Sequence, residues 1–393
     1  MEGLSNAVSI HGGIDYVRNL RTGPTEDLGF KIDAEIDTFA VASLTPPAGS
    51  ETNKERGLAL HLTSMSYEFA LHFGRRGPAY SVAKDRLILE GHLHEQPEGP
   101  KTRKKLLGKP QLGKAIGPTK LEYSVQSKKL SWKFSFPGGY TEGPNVSKAI
   151  QSLLGATGQK KPRIAGLMLE EELLLAPYLF PFFSIQDIFT GIAIFDFDPK
   201  LSKKASGVEG NIGLTEDGGN IAVALREIRR SPKKYRSLIN HVRDVLPFVQ
   251  TLQASKMLDK SFILTVRESY GQEYNFPASM MSDGTLEVIC LVVALYFDDS
   301  WLVILEEPER NIHPDLLAGL VGKMRDRSNA KQIIITSHNP EIVKHVGLDA
   351  LRLVVRDKEG FSSVIKPAGS DAVRELAENL SLDKLFVKQL LGE

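Results

Sequence analysis

"SWLVILEEPERNIHP", Ser300 to Pro314, runs from an apolar stretch (Trp301 to Leu305) straight into two adjacent carboxylates, Glu306 and Glu307, then a proline and a polar turn. A run this short and this continuously apolar predicts a strand buried on both faces, the habit of parallel sheets. Its neighbours fit that reading. Upstream, "SFILTVRES" predicts a strand and "DGTLEVICLVVALYF" a strongly apolar helix. Downstream come the helix "PDLLAGLVGKMRDRS", the buried strand "KQIIITSH", the helix "NPEIVKHVG" and a hairpin in "LRLVVRDKEGFSSVIKP". Strand and helix in alternation predict an α/β fold whose parallel sheet is flanked by helices on both faces. Ligands of such sheets bind at the carboxyl ends of the strands. Glu306, Glu307 and His338 occupy those ends.

The chemistry available there is specific. One carboxylate can hold Mg²⁺, an ion that keeps several waters and takes one or two carboxylates together with phosphate oxygens. A neighbouring carboxylate can orient or deprotonate an attacking water. His338, after "IIITS", stands where a terminal phosphate could be sensed from the next strand end. "MSDGT", Met281 to Thr285, opens the apolar helix; the Ser282 hydroxyl and the Gly284 and Thr285 N–H groups would face an anion at a helix N-terminus. Taken singly, these features are also a solvated loop start and an ordinary helix cap.

Taken in order, "SDGT", "ILEEPERNIHP" and "IITSHNPE" resemble the ABC-type ATPase heads of the RecF, SMC and OLD-like group, and most closely the stand-alone AAA-family ATPases, which are ABC-like in build. The resemblance is specific over about residues 275 to 365 and weaker before them, where "IFDFDP" and "LTEDGGNIAVAL" are similar to that group's middle region. It implies a P-loop NTPase-type head with a β-rich N-terminal lobe, a helical insertion and a C-terminal parallel sheet. It also implies ATP and Mg²⁺ as ligands, and two heads that close around nucleotide as a homodimer or with a related ATPase. Residue by residue, "MSDGT" matches the signature motif, so that Ser282, Asp283, Gly284 and Thr285 would reach a partner's nucleotide. Glu306 matches the Walker B metal position, where many relatives carry Asp, and Glu307 the catalytic base. "PERNIHP" (Pro308 to Pro314) matches the D-loop, with Asn311 on the nucleotide side, and His338 the switch histidine.

A site of this kind needs G-x-x-x-x-G-K-[ST], whose backbone N–H groups and lysine cradle the phosphates. "GKPQLGKA" (Gly108 to Ala115) comes nearest, but Ala115 replaces Ser/Thr, no buried strand precedes it, and Gly117-Pro118 forbids a following helix. "GATGQKK" (Gly155 to Lys161) has the wrong spacing. The opening "MEGLSNAVSIHGG" reads as the end of a helix stopped by Gly12-Gly13, as though the phosphate loop and its strand lay before Met1. That expectation leaves two outcomes, an ATPase or a head retained as a scaffold or regulatory subunit.

The rest of the chain predicts three regions. Residues 1–135 alternate polar and apolar in "GFKIDAEIDTF", "MSYEFALHF", "AYSVAKDRLILEG" and "KLSWKFSF", the pattern of an antiparallel meander. Residues 136–260 are mixed, with helical spacing in "NVSKAIQSLLGA" and again from Asn220 to Val249, where Pro232 restarts the helix. Residues 261–393 hold the parallel α/β core. The 393 residues carry 49 basic against 48 acidic side chains, a formal charge of +1, which argues against a protein that coats nucleic acid. "KTRKKLLGKPQLGKAIGPTK" concentrates seven basic residues, Lys101, Arg103, Lys104, Lys105, Lys109, Lys114 and Lys120. It could touch DNA phosphates, but without interleaved aromatics it reads first as a solvated loop. "REIRRSPKKYRS" is a second such stretch. Asp196 and Asp198 read as turn-capping residues before Pro199 rather than metal ligands. The single cysteine, Cys290, excludes an internal disulfide and a cysteine-built metal site and points to a reducing, cytoplasmic setting. The longest apolar run, Val288 to Phe297, is too short to span a bilayer. Repair or phage defence, with a separate effector protein, are the processes the resemblance implies.

Overall fold

The computed structural model describes residues 27–44, 56–73, 80–96, 112–126, 129–135, 137, 191–208, 213–271 and 274–392. The chain divides into two compact units, Met1–Ile188 and Phe189–Glu393. The expected N-terminal helix end, the Lys101–Lys105 cluster, "GATGQKK" and "NVSKAIQSLLGA" lie outside the described residues.

The first unit is an antiparallel meander: β1 (Leu28–Leu44), β2 (Arg56–Phe73), β3 (Tyr80–Gln96), β4 (Ala115–Gln126) and β5 (Lys129–Ser135), in that order. Strict alternation buries Leu87, Leu89 and Leu93 of β3 and Leu121 of β4. On β2 the buried set changes parity, from Leu60 and Leu62 to Met65 and Tyr67, because a bulge shifts the register between Leu62 and Ser64. Lysines and glutamates pair across the strands: Lys84 with Glu68 at 2.5 Å and Lys120 with Glu90 at 2.6 Å. The end of the basic segment is therefore sheet rather than loop: Ala115 opens β4, which pairs with β3. The glycine-lysine pair at Gly113-Lys114 thus leads into an antiparallel strand, the wrong frame for a phosphate loop.

The second unit opens with β6 (Ile192–Phe195), the single-turn α1 (Pro199–Ser202), α2 (Ile221–Arg229) and α3 (Pro232–Arg243). Ser231 caps α3 and Pro232 occupies its first turn, which is why the helical pattern restarts there. An antiparallel sheet follows, β7 (Val249–Lys256), β8 (Phe262–Glu268) and β9 (Phe276–Pro277). Then come α4 (Asp283–Phe297), β10 (Leu302–Glu306), α5 (Pro314–Arg327), β11 (Gln332–Thr336) and α6 (Pro340–Val346). The chain closes with the hairpin β12 (Leu353–Arg356) and β13 (Ser362–Ile365), then α7 (Asp371–Asn379) and α8 (Leu382–Val387).

β10 is the middle of a parallel sheet ordered β11-β10-β6. β6 belongs to the stretch read as insertion, yet it supplies a strand to this sheet. Every residue of α4 from Thr285 to Leu295 is buried, so the helix runs through the core and, Thr285 and Glu287 apart, is apolar on all sides. Each fully buried leucine or valine there contributes about 1.5–3 kcal/mol by leaving water. Val303 and Leu305 of β10 join that core, together with Phe195 and Leu317. The opposite face of the sheet sets Ile194, Ile304 and Ile334 side by side in register, with Ile194 and Ile334 exposed. Among the described residues no helix is long and apolar enough to cross a membrane.

Candidate functional site

Three strands deliver their carboxyl ends to one edge. Leu305 pairs with Phe195 on one side and Ile335 on the other, and Glu306 pairs with Thr336. The residues that follow, Asp196, Glu307 and Ser337-His338, are therefore neighbours although far apart in sequence. Parallel pairing in register makes this unavoidable: strands that start level and rise equally also end level.

The turn after β10 is tightly specified. The Glu307 N–H donates to the Thr336 carbonyl at 3.1 Å, and the Arg310 N–H donates to the Glu307 carbonyl at 2.9 Å. Glu307 has φ 41° and Asn311 φ 62°, both in the left-handed region that residues with a Cβ seldom adopt. The Arg310 guanidinium donates to Glu307 Oε2 through Nη2 (3.1 Å) and Nε (3.3 Å), and through Nη1 to Asp196 Oδ1 (3.1 Å). The other Glu307 oxygen, Oε1, lies 3.9 Å from Nε2 of His338, whose side chain is 93% exposed. That separation is too long for a hydrogen bond and right for an ion pair when the ring is protonated.

His338 stands on a loop fixed from both sides. The Ser337 hydroxyl donates to Glu309 Oε1 and accepts from the Asn339 N–H at 2.9 Å. Asn339 then caps α6, its Oδ1 accepting from the Glu341 N–H at 2.9 Å. Glu309 is 8% exposed, and its second oxygen has no hydrogen-bond partner among the described residues.

The signature-like segment meets this edge from α4. The Ser282 side chain accepts from the Thr285 N–H at 3.2 Å and lies 2.8 Å from the Thr285 hydroxyl, so its oxygen is engaged in capping its own helix. Asp283 pairs with Lys203 at 2.5 Å. Gly284 is where the two motifs touch: a Cβ built there would stand 2.3 Å from the Asn311 carbonyl oxygen. No side chain fits, so the glycine is required by close approach and not by its backbone angles.

Deeper on α4 sits Glu287, 2% exposed, with Oε2 unpartnered among the described residues. Burial pushes its carboxyl up from 4.5 to about 8; Arg310 opposes the rise, while Asp196, Asp283 and Asp198 add to it. The Arg310 guanidinium is held above its ordinary value, first by its bonds to Glu307. The Cys290 thiol, one turn further on and buried, is pushed up to about 12 by desolvation.

The structure thus brings Glu306, Glu307 and His338 to one edge, and sets Gly284 against Asn311. Asp198 caps α1, its Oδ1 accepting from the Lys200 N–H at 2.9 Å, as a turn-capping aspartate should. Asp196 does something else and faces Arg310. Sequence reasoning missed Arg310, Glu309 and Glu287. Of these only Glu287 leaves a signal, a lone carboxylate inside a helix of apolar residues. Among the described residues no group of three or more His, Cys, Asp or Glu side chains is arranged to hold a metal ion. A single exposed carboxylate, Glu306, suits Mg²⁺ arriving with phosphate oxygens and waters, an ion that needs no all-protein cage.

Residues 168–344 match the family model described as "AAA domain, putative AbiEii toxin, Type IV TA system". No curated protein matches the chain. Among solved structures, the chain is similar to an SMC head bound to the C-terminal winged-helix domain of ScpA, at 9% identity, covering 72% of this chain and 74% of that one with a TM-score of 0.34. It is likewise similar to the SMC head domain from Thermotoga maritima (10% identity, 74% and 76% covered, TM-score 0.31). A third is the Smc head from Pyrococcus furiosus bound to the C-terminal domain of ScpA (10%, 75% and 80%, TM-score 0.33). At these values the likeness is distant. The matched span contains β10, β11, Glu306, Glu307 and His338, so the likeness to an AAA domain falls on the strands and side chains of this edge.

Proposed function

We propose that the chain binds and hydrolyses ATP at the carboxyl ends of β10 and β11. The observation that carries this reading is the approach of Glu307 and His338 on adjacent strand ends, within an AAA-matched span. Glu307 serves as the general base for the attacking water, and Glu306 holds Mg²⁺ that enters with the nucleotide. Bound there, the ion would offset phosphate charge. His338, exposed and free to turn, meets the terminal phosphate. Ser282, Asp283 and Asn311 face a second head, either another copy of this chain or a related ATPase, while Gly284, packed on the Asn311 carbonyl, and the buried Thr285 hold that segment in place. The family description, which names a toxin of a Type IV TA system, favours a toxin–antitoxin role, with an effector protein and DNA as optional partners.

Steady-state hydrolysis of Mg-ATP by the full chain, beside Glu307→Gln, tests this. Loss of the base lowers kcat by about 10²-fold or more, while the variant still binds nucleotide. A second reading, a non-hydrolysing scaffold, is favoured by one observation: no G-x-x-x-x-G-K-[ST] occurs in the 393 residues. Turnover by the chain that Glu307→Gln abolishes excludes the scaffold. Activity equal in the two proteins, or none in either, excludes the ATPase.

A further inference from the structure

We propose that Arg310 is the positioning residue of this site: it ties the Asp196 end of β6 to Glu307 and so decides which carboxylate oxygen of Glu307 faces His338. This rests on the reading of Glu307 as the general base. The geometry divides the two oxygens of Glu307 cleanly. Oε2 accepts from both Nη2 and Nε of Arg310, at 3.1 and 3.3 Å, and Oε1 is turned toward His338 Nε2 at 3.9 Å. A carboxylate that must take a proton from water needs one oxygen free and aimed, and here the other oxygen is the one held. The third nitrogen, Nη1, reaches Asp196 Oδ1 at 3.1 Å, so the guanidinium spans from the turn to a different strand. Main chain completes the frame, with the Arg310 N–H on the Glu307 carbonyl and the Glu307 N–H on the Thr336 carbonyl.

Stability is a poor explanation for this arrangement. Arg310, Asp196 and Glu307 side chains are 44%, 47% and 38% exposed, and ion pairs so open to water contribute little to folding. Orientation is a better one. A guanidinium is planar, and its fixed fork can grip two acceptors at set angles, which an ammonium cannot. A base that loses such a grip samples other rotamers, and misplacement on the scale of an ångström costs rate and not affinity.

Four full-length proteins test the assignment by Mg-ATP kinetics and thermal melting: the native chain, Arg310→Gln, Arg310→Lys and Asp196→Asn. The expected result for Arg310→Gln is a kcat lowered by about tenfold or more, with KM held within about twofold and an unchanged melting temperature. Arg310→Lys regains part of the loss, because a cation returns without the fork. Asp196→Asn falls between the native chain and Arg310→Gln. A merely structural ion pair would move melting temperature and leave kcat alone. An Arg310→Gln protein with native kcat overturns the proposal, and so does one whose KM alone rises. Should that variant fail to fold, Asp196→Asn decides by the same kcat-against-KM split. A native chain without turnover removes the ATPase reading and this one together; turnover insensitive to position 310 removes this one alone.

Discussion

Glu287 offers a measurement that needs no nucleotide. In the folded chain its carboxyl sits at about 8 against an ordinary 4.5, chiefly through burial, with Asp196, Asp283 and Asp198 opposing its ionisation and Arg310 favouring it. Between those two values the folded state keeps a proton that the unfolded state has lost. Stability is therefore greatest below about pH 4.5 on account of this group and is lost as pH rises through about 8. The gap is about 3.5 pH units, which at about 1.4 kcal/mol each amounts to about 5 kcal/mol at the alkaline plateau. Glu287→Gln presents a neutral side chain of the same length and cannot ionise. Urea unfolding of both proteins from about pH 4 to about pH 9 should give stability curves that lie together at the acid end. They should separate by about 1.4 kcal/mol per pH unit, with the variant the more stable. The attraction to Arg310 is already contained in the value of about 8, so it takes nothing further from this figure. Parallel curves across the range would mean that Glu287 ionises in place, and the account of its burial would fail.

Two further outcomes can be checked on the same preparations. Gly284→Ala forces a Cβ to within 2.3 Å of the Asn311 carbonyl, where only backbone can yield. Overpacking of this kind costs about 1–3 kcal/mol, read as a lower urea midpoint, and a native midpoint would show that the two motifs do not touch. Cys290 is buried and its thiol is pushed up to about 12, so a thiol-reactive dye should not label the folded chain at pH 8 and should label it in denaturant. Prompt labelling without denaturant would show that α4 is not in the core.

What could be read from the sequence was whatever repeats with a period. The alternation of apolar strand and helix from α4 to α6 was plain, because each strand is a continuous apolar run and each helix is long enough to show its period; the burial expected on both faces of the sheet is found on one only, since Ile194 and Ile334 are exposed. The carboxylate pair and His338 were legible as strand-end residues for the same reason. β6 was not, since its strand is four residues long and its partner, β10, lies far along the chain. β4 was hidden by composition: Gly117, Pro118 and the lysines around them look like loop, and only pairing to β3 makes them sheet. Arg310 had no local signal at all. Its function depends on Asp196, and nothing in "PERNIHP" says that a second strand ends beside it. The contact of Gly284 with Asn311 is equally non-local, although the glycine itself stood out as part of a helix start.

The φ of 41° at Glu307 has a consequence for evolution in the laboratory. Left-handed backbone favours Gly and Asn, and a longer side chain held there gives up about 1 kcal/mol or more. Selection for thermal survival alone would therefore drift at position 307 toward glycine or asparagine, improving the fold while erasing the carboxylate. Selection for turnover would pull it back. Position 307 is thus a place where sequence libraries sorted by the two criteria should diverge, and the divergence itself would mark which residue the protein keeps against its own backbone.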